Sequence, residues 1–569
     1  NNKKPIFQKN KFKKIVQRNF FPKIMSEFTD FVAICKESDI NNDEVKEFDF
    51  DRNNKFLLIR QNDRIWAVGA TCPHQGAPLV KGVLGRGRIR CSRHGSCYDI
   101  KTGDIEDFPG LDSLPSYPVE ISKDGEVKVR ARHKDLNKTR RIKKMSSHNK
   151  LDERIFLLIG GGVASATCAE TLRQEGYVGR IIILCGEESL PYDRTPLSKV
   201  WQVNHQDMEL RSEEFYEQHN IEIILGVEAI KLDTYTNTVS CSNEQQIKYD
   251  KLFIATGSRP AKLATEGIGY RNVFSLQNFV DLQAIMSVLR PRTNLICTGG
   301  GFISLELSST IISKIRSVLV ISHLKYPLEV LYGEEIGKRL LNLYRERGVQ
   351  MKMESRMKDI LSDDGVRVTE VRTTDGYKYP CDVLLIAVGV VPNTDWVIDS
   401  DVPVNIDGTI DTDMNLRTPV PNIYAGGDIA NAPVLSYSNQ RKCVKHYQVA
   451  QYHGRIAGIN MAGHIQELRT VPFFNASFFG MSFLQAGFGS LHDIFIHGDL
   501  KRLKYVVYVS DRDGNVTYVS TCGYDSAVIS YCELLAQGKR LHRSEVADKS
   551  NPSQWMEQLL DTRRTRCSC

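Results

Sequence analysis

The stretches TCPHQGAPL (residues 71–79) and CSRHGSCYD (residues 91–99) put Cys72 and His74 on one short arm and Cys91 and His94 on another. The spacing is Cys-x-His, sixteen residues, then Cys-x-x-His. Each arm carries one thiolate and one imidazole. A [2Fe–2S] centre needs that set when two Cys hold one iron and two His hold the other. Zinc is the competing metal for such a quartet, although zinc arms usually pair Cys with Cys and His with His. On either reading, these four side chains are the metal ligands.

Together with Gly95 and the tail GLDSLPSYPV from Gly110, the two arms resemble the Rieske ferredoxin family. The resemblance implies a Rieske-type [2Fe–2S] cluster and an electron-carrying role. Ala77 and Arg93 stand where the bc-type members have a disulfide between the loops, while Ser96 and Tyr98 match hydroxyl donors of the high-potential group. These opposed features imply an intermediate potential within the family range of about −150 to +300 mV.

Around the arms, KFLLIR, RIWAVGA, RIRCSRHG and EVKVRAR alternate with DG and TG turns, so residues 30–130 read as a small all-β module. The chain of 569 residues is too long for one core and suggests three or four domains. Its 41% hydrophobic and 25% charged composition is that of an ordinary globular protein, and no apolar run approaches a membrane span. Fourteen Cys without regular spacing outside the quartet read as reduced thiols of an intracellular protein.

The ends are unusual. Residues 1–29 form a basic extension, with seven Lys or Arg and no acid in residues 1–22. It reads equally as a transit-like segment, a fragment end, or a reading frame extended upstream of Met25. In the tail, residues 547–569, Cys567 and Cys569 resemble the doubly prenylated terminus of Rab GTPases, with a frayed terminus as the plainer reading. Between modules, residues 131–150 hold eight Lys or Arg and one Asp, which suits a solvated linker (drawn at 131–152) or, less simply, a nucleic-acid patch.

Next comes RIFLLIGGGVASATCAETL (residues 154–172): buried strand, glycine turn, helix. Gly160 and Gly162 take the first two positions of G-x-G-x-x-G, with Ser165 at the third, a pattern that brings a pyrophosphate to a helix N-terminus. The following strand, RIIILCGEE, ends at Glu187, placed for ribose hydroxyls. TNLICTGGGFISLELSSTI (residues 293–311) repeats the unit with Gly299, Gly301 and Ser304. Two such units imply two dinucleotides.

YDKLFIATGSRP, DVLLIAVGVVPN (with Gly389) and NIYAGGDIA follow in an order that resembles the two-dinucleotide flavoproteins, in which a nicotinamide domain is inserted into an FAD domain. Residues 191–199, PYDRTPLSK, lack the redox Cys pair of disulfide reductases. They resemble the signature shared by oxygenase-coupled ferredoxin reductases and apoptosis-inducing-factor proteins, whose Rieske-bearing members match the whole arrangement.

The resemblance implies that Arg194 holds the FAD pyrophosphate. Lys199, paired with Glu306, would lie beside the flavin as the catalytic pair. Asp428 would bind the ribityl chain, and His446 would border the ring. Gly299, Gly301, Ser322 and Gly389 are carried over to the nicotinamide side. Three departures stand out: Asn475 where Trp is expected near the flavin, Ser165 and Ser304 at small-residue positions, and Ser322 where the family usually has Glu.

The expected architecture is therefore multidomain: the all-β Rieske module, an α/β flavoprotein and an α+β C-terminal domain. The FAD domain spans residues 153–265 and 393–465 around an NAD(P) domain at 266–392, and the C-terminal domain spans 466–546. In that last region LKYVVYVSDRDGNVTYVSTCG reads as a hairpin turning at Asp513-Gly514, followed by a helix closed at Gly538.

The expected function is an NAD(P)H-dependent FAD oxidoreductase that passes electrons singly through its own cluster to an external acceptor, a protein. The other class is a redox-responsive pro-apoptotic signalling or nucleic-acid-binding protein with little turnover; a third reading reverses the electron flow. The compartment is reducing, mitochondrial by family resemblance, with cytoplasm as the alternative.

Overall fold

A strand buried on both faces must be apolar at every position, and three such strands organise this chain. In Lys55–Gln61, Leu57 and Ile59 join the core that holds Cys72, Cys91 and Tyr98, while Phe56 and Leu58 face Tyr117, Val127 and Val129. In Ile155–Ile159, Phe156 and Leu158 pack on the glycine-turn helix and Leu157 and Ile159 on the opposite layer. In Lys504–Ser510, Tyr505, Val507 and Val509 enter the nicotinamide-domain core, and Val506 and Tyr508 pack toward the helix Asp525–Ala536. The computed structural model describes residues 28–50, 54–132, 135, 138–489, 491–547 and 554–556. The basic stretch 1–22, Met25, Cys567 and Cys569 lie outside the described residues.

The Rieske module is three small antiparallel sheets, one of them Val83–Leu84, Arg88–Arg90, Cys97–Asp99 and Ile105–Asp107 in that order. Each dinucleotide unit is a five-stranded parallel sheet. The first runs Ile221–Ile224, Arg180–Leu184, Ile155–Ile159, Lys251–Ile254, Ile423–Ala425. The second runs Val273–Phe274, Val383–Ile386, Asn294–Thr298, Ser317–Ile321, Gln350–Lys352. The chain leaves the first unit and returns along one antiparallel pair, Ser258–Pro260 on Val390–Pro392. The C-terminal sheet has five antiparallel strands, and its hairpin and helix fall where the sequence puts them. No helix among the described residues is long and apolar enough to cross a membrane.

The segment 131–152 differs from the free linker expected of it. Ser113 and Arg141 exchange both backbone hydrogen bonds (2.8 and 2.7 Å), Ser146 N donates to Arg173 O (2.8 Å), and Asn149 N to Val178 O (2.7 Å). Arg141 pairs with Asp104, Lys143 with Glu175 and Arg140 with Asp112. Three of the charges that would have kept a free coil extended are met by acids on the two modules, so residues 138–149 form a strap laid along their joint.

Candidate active site and iron–sulfur loops

The two metal loops are built alike. Gly76 N returns to Cys72 O (3.0 Å) and Gly95 N to Cys91 O (3.2 Å), so each loop is a five-residue turn closed on its own cysteine. Both cysteines are buried and free: the neighbouring Cys91 first, then Tyr98, draws Cys72 down to about 6, while Cys91 is pushed up. The Tyr98 hydroxyl lies 3.2 Å from the Cys72 sulfur; Ser96 Oγ instead accepts from Gly110 N at 3.2 Å. His74 and His94 meet edge to face, ring centres 4.9 Å apart. Burial lowers both imidazoles, His94 to about 3.

Two cysteines adjoin and two histidines adjoin. Among the described residues no three His, Cys, Asp or Glu converge as a single ion would need. His74 Nδ1 is buried without a hydrogen-bond partner, as an iron-binding nitrogen would be. This donor set fits a two-iron cluster better than zinc.

The first glycine turn is fixed by close approach. Gly160 has φ +117°, and a Cβ there would lie 2.2 Å from Ala255 O. Gly162 opens the helix Val163–Gln174, which has no side-chain N-cap, so its first N–H groups are free to meet a pyrophosphate. Ser165 is buried in helix packing. Glu187 accepts from Tyr192 OH (2.9 Å) and pairs with Arg194, whose other nitrogen donates to Gln277 O (2.9 Å). The two residues expected at ribose and pyrophosphate thus also brace each other.

Lys199 and Glu306 meet at 3.0 Å across the two dinucleotide domains. Lys199 also donates to Thr195 O (3.1 Å), and the Ser198 hydroxyl donates to the same Glu306 oxygen. Ser198 was not picked out from sequence, although it adjoins Lys199 in the signature. Asp428 accepts from Ser258 Oγ (2.7 Å), and burial raises its carboxyl above the usual range. His446 caps the helix Tyr447–Ala462; burial, then Lys199, hold its ring neutral, down to about 3.

These residues line one cleft of about 1230 Å³, together with Gly160, Gly162, Glu187, Arg194, Phe302, Phe474 and Asn475. Phe474, the neighbour of Asn475, also lines this cleft and packs edge to face on His446, 4.5 Å between centres.

The second turn repeats the first: Gly299 has φ +98° and a Cβ would lie 2.2 Å from Ala387 O, while Gly301 opens the uncapped helix Phe302–Ile311. Ser322 follows the strand Ser317–Ile321. It is 2% exposed and its hydroxyl faces the middle glycine, Gly300, as Cys185 faces Gly161 in the first unit. It therefore lies behind the turn, and the position matching Glu187, two residues on, is Leu324. Gly389 is exposed on the return crossing, its carbonyl accepting from Ala261 N (3.0 Å), and does not line the cleft.

The Rieske loops adjoin this cleft. A Cβ on Gly95, next to the ligand His94, would lie 3.2 Å from the ring of Phe473, whose neighbour Phe474 lines the cleft.

Comparison with known proteins agrees with this geometry. Residues 156–454 match the pyridine nucleotide-disulphide oxidoreductase family, and residues 30–118 match the Rieske [2Fe-2S] domain. The chain belongs to this oxidoreductase family. It is an NAD(P)H-dependent FAD oxidoreductase with its own Rieske cluster, through which electrons pass to an external acceptor. It is 34% identical over 520 residues to apoptosis-inducing factor 3 of Homo sapiens, covering 90% of this chain and 85% of that protein. It is 26% identical to a ferredoxin–NAD(P)(+) reductase of a Sphingomonas species, over 68% of this chain and 92% of that protein. Among solved structures, Fdr9 is similar (TM-score 0.62, 27% identity, 70% of this chain and 98% of that one). The ferredoxin reductase for the CYP199A2 system of Rhodopseudomonas palustris shares the fold (TM-score 0.66, 24% identity, 70% and 98%).

Proposed function

We propose that NAD(P)H is oxidised at the Lys199–Glu306 cleft and that the electrons leave through the loops of Cys72, His74, Cys91 and His94 to a protein acceptor. The observation that carries this is the contact of Gly95 with Phe473, which sets the cluster loop directly behind the cleft wall. When bound, FAD takes up the two electrons of a hydride and the [2Fe–2S] centre hands electrons on singly, so two one-electron acceptors are reduced per NAD(P)H.

The chain's own residues do the positioning. Gly160 and Gly162 admit the FAD pyrophosphate, with Arg194 as its counter-charge and Glu187 toward the ribose; Ser165 keeps the helix close. Asp428 takes the ribityl hydroxyls, and neutral His446 borders the ring with Phe474. Gly299 and Gly301 admit the nicotinamide pyrophosphate, with Ser322 backing that turn and Gly389 at its margin. Lys199 stands as the positive charge that stabilises electron density arriving on the ring, held in place by Glu306.

A protein acceptor fits the relatives that carry the name ferredoxin reductase. A reducing compartment, mitochondrial or cytoplasmic, fits the free state of all twelve cysteines among the described residues. The signalling or nucleic-acid reading is weaker, because charges of the basic stretch 138–144 are paired with acids of the same chain.

Visible and EPR spectra of the purified protein, before and after NADH and NADPH, test the proposal. Flavin bleaching followed by a Rieske EPR signal is expected. Flavin reduction with a cluster that stays oxidised refutes the route.

A further inference from the structure

The joint between the Rieske module and the flavoprotein contains a charge cluster that neither the metal site nor the cleft requires. Glu533, on the helix Asp525–Ala536 of the C-terminal domain, has a side chain only 4% exposed. It receives Arg88 Nη2 at 2.9 Å and Arg90 Nε at 3.3 Å, two guanidinium groups from one Rieske strand. Arg90 is 1% exposed, pairs with Asp107, and donates through Nη1 to Gly95 O at 2.8 Å. A single guanidinium thus links the flavoprotein carboxylate to the loop carrying His94. A second anchor lies on the helix Tyr447–Ala462, whose first residues line the cleft. Gln448 donates to Phe108 O, and Arg455, seven residues on and on the same helix face, donates to Glu106 O (2.6 Å) and Ile105 O (3.1 Å).

We infer that Glu533 is a positioning residue that latches the cluster loop against the cleft wall, and that the Rieske module works from this docked place instead of swinging between partners. A swinging carrier would have to expose Phe473, which is 2% accessible. It would also separate a buried carboxylate from two guanidinium groups. Losing one partner of such a buried pair is costly, whereas an exposed pair contributes little. The strap at 138–149 is bonded to both modules, so the connection has no slack to release.

The inference rests on the electron route proposed above, and stopped-flow mixing of the holoenzyme with NADH separates the two. Flavin reduction and cluster reduction are followed independently. In the wild type, cluster reduction is expected to be insensitive to added sucrose or glycerol. In Glu533→Gln, flavin reduction stays at the wild-type rate. The docked-to-undocked ratio falls by more than about a hundredfold, the lower end of what loss of one partner of a buried pair implies. Cluster reduction then becomes slower and viscosity-dependent. Amide hydrogen exchange, which needs no turnover, should rise together in residues 88–97 and 525–536. Should Glu533→Gln fail to fold, Arg455→Gln releases the second anchor and is expected to shift the same readouts less. Wild-type cluster reduction that slows in proportion to viscosity overturns the latch, as does a folded Glu533→Gln with wild-type rates and exchange. A wild-type cluster that NADH never reduces overturns the route itself.

Discussion

The two glycine-turn units are one backbone device used twice. In each, the first glycine sits under a carbonyl, Ala255 O or Ala387 O, that would clash with any Cβ at 2.2 Å. In each, the middle glycine meets the first residue beyond the second strand, Cys185 or Ser322. The units diverge at the second residue after that. Glu187 is held by Tyr192 and Arg194 and faces the cleft. Leu324 has no charge to offer. Lys325 beside it pairs with Glu334 at 3.1 Å, and its backbone N–H donates to Glu329. The backbone decides that a dinucleotide binds. On the proposed reading, side chains two or three positions beyond the strand select between dinucleotides.

The sharpest break in that symmetry should come from the glycines themselves. Gly160→Ala is expected to abolish FAD binding, giving a flavin-free protein with its Rieske spectrum intact. Gly299→Ala should keep both chromophores and lose reduction by NAD(P)H. A Gly160→Ala protein retaining a full complement of FAD would show that the carbonyl contact is not decisive.

Next in size is the pair that joins the units. Lys199→Met should slow flavin reduction by roughly a hundredfold with FAD retained, the scale expected for one electrostatic stabiliser. Ser198→Ala, which removes only a support of Glu306, should cost less; the single-turnover rate of flavin reduction measures both.

The units should also differ in acid. His446 and His453, both on the FAD-side helix, are held neutral by burial, to about 3 and about 4, against about 6.5 when unfolded. The unfolded chain therefore binds more protons in that window, and stability is lost as pH falls from about 6.5 toward 4. Each ring contributes up to about 1.4 kcal/mol per pH unit. Asp428, with its raised carboxyl, works in the opposite sense lower in the range. Hydrogen exchange at pH 7 and pH 5 should show the FAD-side helix Tyr447–Ala462 loosening before the nicotinamide sheet.

The smallest effect concerns cofactor choice. With Lys325 already met by Glu334 and no acid matching Glu187, NADH and NADPH should be used within about tenfold of each other. Glu334→Gln should move the ratio toward NADPH only a few-fold, because the pair is exposed. Steady-state kcat/KM for both nucleotides gives the answer. A hundredfold NADH preference would mean that Glu329, already against this loop, supplies the missing repulsion.

Much of this was legible before any fold. The ligand quartet, both glycine turns, and the order of the flavoprotein segments are local patterns, because each depends on residues within a few positions of one another. Even the C-terminal hairpin is local, with Gly514 at its turn and Gly538 closing the helix. Other features could not be read that way. Ser322 is singled out because the resemblance puts Glu there; only the packing of Gly300 shows that its hydroxyl lies against the middle glycine of the turn. Asn475 looked like a lost aromatic wall, yet the adjacent Phe474 reaches the same cleft from a strand whose pairing was not visible.

The sequence by itself determined the kind of chemistry: two dinucleotide units and a two-iron centre. The metal quartet and the glycine turns follow from short-range spacing and from the geometry of ligand and phosphate recognition, whereas Arg194, Lys199, Asp428 and His446 are reached only through family resemblance. Only the tertiary structure decided how the redox modules stand to one another. The joint is made by residues 340 to 445 positions apart, Gln448 with Phe108 and Arg88 with Glu533. Each reads locally as an ordinary polar side chain. Burial turns them into a latch, because a charge withdrawn from water is held only where its partner waits, and that place is set by the fold of both modules together.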